Sequence, residues 1–215
     1  MIRMITTLLF LAGAAVAGEL KPMSFDFEGE TVGSVPKEWT VAKTGTGEGS
    51  VWKIAEDPTA PKGPKVLAQT AASPSAVFNL CVADASAFKD VEVKVAFKAI
   101  KGQADQGGGL VWRYKDANNY YIARFNPLES NYRVYKVVDG KRTQLATKEE
   151  LKHPAGEWHT LSIQMKGNAI VCLLDGKQHL AAKDDTFAAP GKVGLWSKAD
   201  AQTYFDYFQA KAIGN

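Results

Sequence analysis

Along Val91-Glu92-Val93-Lys94-Val95-Ala96-Phe97-Lys98, the valines and Phe97 fall on one side of an extended chain and the charged residues on the other. A period of two marks a half-buried β-strand. Strand-like segments recur at 50–54, 109–114, 120–126, 132–138, 143–146, 158–165, 169–174, 178–182, 191–196 and 204–210. Turn residues separate several of them: Asp139-Gly140, Lys166-Gly167-Asn168 and Asp175-Gly176. Helix signals are confined to two short stretches, 84–88 and 148–152. About a dozen short strands with regularly spaced turns predict an all-β fold of two stacked antiparallel sheets.

The first residues follow a different pattern. Arg3 is the one charged residue before Glu19, an apolar run extends from Ile5 to Val16, and Ala15-Val16-Ala17 supplies small residues where a signal peptidase reads. These features predict a cleaved leader, residues 1–17, and a mature domain, residues 18–215. The run is too short to span a bilayer, which takes about 20 residues, and no later run is long and apolar. The expected product is periplasmic or extracellular, with no membrane span once the leader is removed.

Cleavage removes Arg3 and takes the formal charge from +3 to +2. So small an excess, with no Lys/Arg block, gives no argument for a nucleic-acid partner. Cys81 and Cys172 both lie in apolar, strand-like runs. In an oxidising compartment they can form a disulfide; the alternative is two buried thiols. The Pro/Gly-rich stretch 57–64 is short and reads as a loop inside one domain.

Four stretches carry a family resemblance. They are Phe25-Asp26-Phe27-Glu28-Gly29 with Pro36 and Trp39; Gly107 to Tyr114 continued by Asn118 to Asn126; Gly156-Glu157-Trp158-His159-Thr160-Leu161 with Asp175-Gly176; and Gly191 to Trp196 with Phe205-Asp206-Tyr207-Phe208. In this order the chain resembles the concanavalin A-like, laminin G-like jelly rolls. Within them it is similar to the secreted domains known as 3-keto-disaccharide hydrolases, often labelled family 16 glycoside hydrolase-like. The resemblance implies a two-sheet β-sandwich, a carbohydrate partner, and hydrolysis of a 3-keto or related glycoside. The alternatives are a non-catalytic glycan-binding or adhesion module of laminin G type and a purely structural envelope protein. The chain departs from true family 16 glucanases in lacking a Glu-x-Asp-x-x-Glu strand. No single segment supplies the two carboxyl groups, about 5 Å apart, that retaining hydrolysis uses.

Alternation predicts that Arg113, Tyr120, Arg124 and Asn126 share the outer face of the central strands, with Glu129 in the adjoining loop and Tyr135 on the next strand. Guanidinium, amide and carboxylate groups pair with sugar hydroxyls, and aromatic rings cover apolar sugar faces. These six residues are the candidate substrate-binding set; the alternative is an ordinary outer face of cross-strand pairs. Glu129 and His159 are the candidates for proton transfer, although a histidine at the His159 position serves more often as a structural hydrogen-bond partner. The histidines at 153, 159 and 179 lack the spacing of a metal motif. The jelly-roll resemblance implies a structural Ca²⁺ held near the chain ends by Asp26, Glu28 and Asp206, and no other cofactor. Gly107-Gly108-Gly109 precedes a strand rather than a helix, which excludes a phosphate loop and suggests a tight bend or close backbone approach at the sheet edge.

Overall fold

A computed structural model describes residues 21–214; the expected leader, with cleavage after Ala17, lies outside the described residues. Fifteen strands follow in chain order. They are β1 (Met23–Phe25), β2 (Trp39–Thr44), β3 (Trp52–Glu56), β4 (Lys65–Gln69), β5 (Phe78–Ala83), β6 (Val91–Lys101), β7 (Gly108–Asp116), β8 (Asn119–Asn126), β9 (Asn131–Val138), β10 (Lys141–Lys148), β11 (Trp158–Lys166), β12 (Ala169–Leu174), β13 (Lys177–Lys183), β14 (Lys192–Lys198) and β15 (Gln202–Ala212).

All pairings are antiparallel. One sheet runs β13-β12-β11-β6-β15-β4-β3, with β1 also on β15; the other runs β10-β9-β8-β7-β14-β5-β2. The fold is therefore the expected two-sheet jelly-roll sandwich. Among the described residues there is no helix, and none long and apolar enough to cross a membrane. The two expected helical stretches are absent for local reasons. Phe88 makes a β-bridge to Gly191, and β10 runs on through Lys148 as the partner of Tyr132.

The core lies between the sheets. On β6, Val91, Val93, Val95, Phe97 and Ala99 point inward, and Leu110, Trp112, Tyr121, Ala123 and Phe125 meet them from β7 and β8. Fully burying one such large side chain contributes about 1.5–3 kcal/mol. Contacts between the sheets fix how they pack. Trp112 donates its indole N–H to the Met165 sulfur at 3.0 Å, and the Phe97 and Phe125 rings meet edge to face at 6.2 Å. Both turns predicted from Asp-Gly pairs form, with positive φ at each residue: 49° and 75° at Asp139-Gly140, 50° and 76° at Asp175-Gly176. That geometry matches the right-handed twist of the hairpin strands.

Cys81 on β5 and Cys172 on β12 are both buried, free thiols. They belong to different sheets and each packs as a small apolar side chain in the core. The disulfide alternative is thus corrected to the two-thiol one. Burial pushes both thiols well above their ordinary pKa, so neither is a ready nucleophile.

Candidate functional site: the outer face of the seven-stranded sheet

The seven-stranded sheet curls so that its outer face becomes a trough. The end of β2, on one edge, reaches the turns at the far side. The Thr44 hydroxyl donates to the Ala117 carbonyl and lies 2.8 Å from the Tyr120 hydroxyl, while Gly140 approaches the Thr44 methyl. One half of the trough is filled by the protein itself. Phe78, Leu80, Val82, Val111, Tyr120, Ile122, Tyr135, Val137 and Trp196 form a second apolar cluster there. The Arg142 guanidinium covers it, 4.3 Å from the Tyr135 ring centre and 5.0 Å from that of Phe78.

The other half is polar. Register places Gly109 opposite Arg124 and Arg124 opposite Arg133, with Asn126 opposite Asn131. Arg124 is 1% exposed; it donates to Asn131 Oδ1 at 3.0 Å and to Glu129 Oε2 at 2.7 Å. Arg133 reaches the same Glu129 oxygen at 3.4 Å. From the loop before β7, Asp105 Oδ1 accepts the Asn126 amide at 3.0 Å and the Gly107 N–H at 2.6 Å. Its second oxygen faces the Lys198 ammonium at 3.7 Å. Asp200 fixes that loop by accepting backbone N–H groups from Gln103, Ala104 and Asp105.

The glycine run makes this arrangement possible. A Cβ on Gly109 would sit 2.2 Å from the Ala123 carbonyl oxygen and 2.9 Å from the Arg124 Cβ; one on Gly107 would meet Asp105 Oδ1 at 2.8 Å. The close approach expected from the sequence is therefore real, but it lies in the middle of a sheet.

Two carboxyl groups in this half are pushed in opposite directions. Burial raises Asp105 above the ordinary carboxylate range despite the opposing charges of Arg124 and Lys198. For Glu129, burial acts the same way, but hydrogen bonding and charge from Arg124, with Asn131 and Arg133, outweigh it and lower the pKa. Divergent neighbouring carboxyls are a recurring signature of acid–base sites. Buried polar atoms without a hydrogen bond lie on this face too: Asp105 Oδ2, Arg124 Nε, Arg142 Nη1 and Trp196 Nε1. Such atoms are usually satisfied by water or ligand.

The six substrate-binding candidates separate in space. Tyr120, Arg124, Asn126 and Tyr135 do share one face, and Glu129 joins Arg124. Tyr120 and Tyr135 are buried in the apolar half, so their rings are not open to a sugar. Arg113 is elsewhere. A bulge between Trp112 and Asp116, with φ of 45° at Arg113, turns the side chain off the face. Its guanidinium donates to the carbonyls of Lys89, Phe187 and Gly167 and pairs with Asp90. Placing Arg113 in the cluster is thus corrected: it clamps three chain segments beside an apolar cleft of about 570 Å³ that includes Tyr114 and Phe187. Sequence reasoning missed Asp105, Asn131, Arg133 and Lys198. Asn131 and Arg133 follow from the same alternation along β9, whereas Asp105 and Lys198 arrive through loop closure and long-range pairing.

His159 lies on the inner side of the sandwich end, its ring edge-on to Phe125 and its Nδ1 2.8 Å from Asp175 Oδ2. It does not join Glu129. Asp26, Glu28 and Asp206 gather near the chain ends, and the first two contribute to raising Asp206, which burial chiefly raises. No Lys or Arg pairs with any of the three among the described residues. Their ligand atoms do not converge as those of His153, His159 and Asp175 do. Part of the set is already engaged: Asp206 accepts the backbone N–H groups of Lys62 and Tyr207, and the Lys65 ammonium holds the Glu28 and Glu30 carbonyls.

In sequence, residues 26–211 match the 3-keto-alpha-glucoside-1,2-lyase-like domain. The chain belongs to that family. Family membership places it among carbohydrate-active domains, with a carbohydrate as its partner. No curated protein matches it. Among solved structures it is similar to the carbohydrate-binding module CBM66 from Bacillus subtilis, at 18% identity over 81% of this chain and 96% of that one, with TM-score 0.65. It is also similar to a β-glucanase from Bacillus licheniformis, at 13% identity over 89% and 98%, with TM-score 0.62. The Ca²⁺/mannose-bound exoplasmic/lumenal domain of VIP36 resembles it at 12% identity over 90% of each chain, with TM-score 0.60. At these identities the likeness is one of fold.

Proposed function

We propose that this domain, exported by its leader to the periplasm or beyond the cell, acts on 3-keto glycosides at the polar half of the trough. The observation that carries the reading is the pair Asp105 and Glu129 set around Arg124, with their pKa values driven apart. In a 3-keto glycoside the carbonyl acidifies the proton on C2. Removing that proton and expelling the oxygen on C1 forms a C1=C2 double bond, and the departing oxygen takes up a proton from water. Water adding back at C1 makes the net result hydrolysis. Glu129, ionised at neutral pH and partly exposed, is the group placed to take the C2 proton. Arg124 and Lys198 offer positive charge to the developing enolate oxygen. Asn131 holds Glu129 and Arg124 in place.

The second reading is glycan binding without turnover. One observation favours it: two arginines on Glu129 Oε2 make that carboxylate a weak base. A turnover screen on 3-keto and ordinary glycosides, with a glycan array beside it, separates the readings. The lyase reading expects an unsaturated keto sugar, or its hydrated product, from 3-keto substrates alone. Binding without product leaves the second reading; silence in both assays removes both. We propose in addition a structural Ca²⁺ at Asp26, Glu28 and Asp206, which predicts a melting temperature that falls with chelator and recovers with Ca²⁺. An unmoved melting temperature counts against the ion.

A further inference from the structure

The three histidines lack motif spacing, yet the fold assembles a cluster from two of them. His153 comes from the loop after β10, His159 from the start of β11, and Asp175 from the turn between β12 and β13; each offers a ligand atom, all within 4.8 Å of one another. The two imidazole rings meet edge to face at 4.8 Å. His153 and Asp175 line a cleft of about 510 Å³, shared with Glu150 and His179.

His159 supplies the second observation. It is 8% exposed, and its Nε2 is buried with no hydrogen-bond partner. Its Nδ1 is held by Asp175 Oδ2 at 2.8 Å, and Asp175 is itself fixed through Oδ1 by the Thr160 N–H at 2.7 Å. A carboxylate on one ring nitrogen orients the other as a ligand. A buried nitrogen without a partner is costly, and a ligand on Nε2 removes that cost.

We propose that His153 and His159 bind one divalent transition-metal ion, His159 through Nε2, with Asp175 as the support that fixes the His159 ring from Nδ1. Donor chemistry selects the ion. Imidazole nitrogens suit Zn²⁺, Ni²⁺ or Cu²⁺, and the Lys152 and Lys177 ammonium groups lining the same cleft disfavour a hard ion held by charge alone. Ligands of one zinc lie at most about 4.2 Å apart, twice a bond of about 2.1 Å. Any pair of ligand atoms wider than that has to close slightly on binding. The site lies at the end of the sandwich and is distinct from the trough.

The test is Zn²⁺ calorimetry on the mature domain without a polyhistidine tag, with Co²⁺ absorption as a second readout. The expected result is one ion per chain, a visible Co²⁺ band, and affinity about 10- to 100-fold weaker in His153→Gln and in Asp175→Asn. His153 is only partly buried and Asp175 is exposed, so both variants should keep the parent circular dichroism. Absence of stoichiometric binding overturns the proposal. So does binding that both folded variants retain at full strength.

Discussion

The two halves of the trough are built on the same strands and differ in what covers them. In one, Tyr120, Tyr135, Phe78 and Trp196 pack together and Arg142 lies across them. In the other, Arg124, Asp105, Asn126 and Asn131 are equally buried, but Glu129, Arg133 and Lys198 remain partly open to solvent. The aromatic half thus behaves as a second core. The polar half keeps charged groups in reach of a ligand. An aromatic residue on an outer face is a sugar platform only when the curvature of the sheet leaves it uncovered.

The largest expected effect falls on the seam between the halves. Gly109→Val would drive side-chain atoms into the Ala123 carbonyl and Arg124, and overpacking of this kind costs about 3 kcal/mol or more. Thermal unfolding should show a large loss of stability or failure to fold; a parent-like melting temperature would contradict the close approach. Next comes Arg142→Ala, which uncovers the rings and loses a desolvated cation–π contact of about 2 kcal/mol. Its signature is increased dye binding by exposed apolar surface, and no increase would mean that Arg142 is not the cover.

The carboxylates sharpen the contrast further. Asp184 accepts bonds from Lys136 at 2.7 Å and Tyr121 at 2.6 Å. Burial opposes ionisation, but these bonds and those from Thr186 outweigh it and hold its pKa well below the ordinary range. A depressed folded pKa gives stability that is present above the unfolded value and lost as pH falls toward the folded one. Asp184→Asn should therefore cost about 1.5 kcal/mol at neutral pH and less in acid. Asp105 is raised, so its ionised form weakens the fold as pH rises through and above the unfolded value. Asp105→Asn should be neutral or stabilising at neutral pH. Denaturant titrations at neutral and acid pH read both, and parallel behaviour of the two variants would break the comparison. Tyr120→Phe should have the smallest effect, about 1 kcal/mol from the lost bond to Thr44, and a larger loss would assign that hydroxyl a further role.

Much of the fold was legible because β6 alternates and Asp-Gly pairs mark two hairpin turns. Phe78–Ala83 is buried on both faces, so its alternation disappears even though it is a strand. Trp39–Thr44 is an edge strand with an irregular burial pattern. In the site, parity along β8 assigned Tyr120, Arg124 and Asn126 to one face. It failed at Arg113 because a bulge resets the count. Exposure was not legible at all. It depends on Thr44 reaching Ala117 and Tyr120 across the curled sheet, a contact between residues more than 70 positions apart.

The most direct test sets one half against the other in a single assay: conversion or binding of a 3-keto glycoside by Glu129→Gln and by Arg142→Ala, each checked for folding. A loss of at least about tenfold in the first, with the second close to the parent, is the predicted result. Full response in Glu129→Gln, or loss confined to Arg142→Ala, would place the sugar in the wrong half and contradict the account.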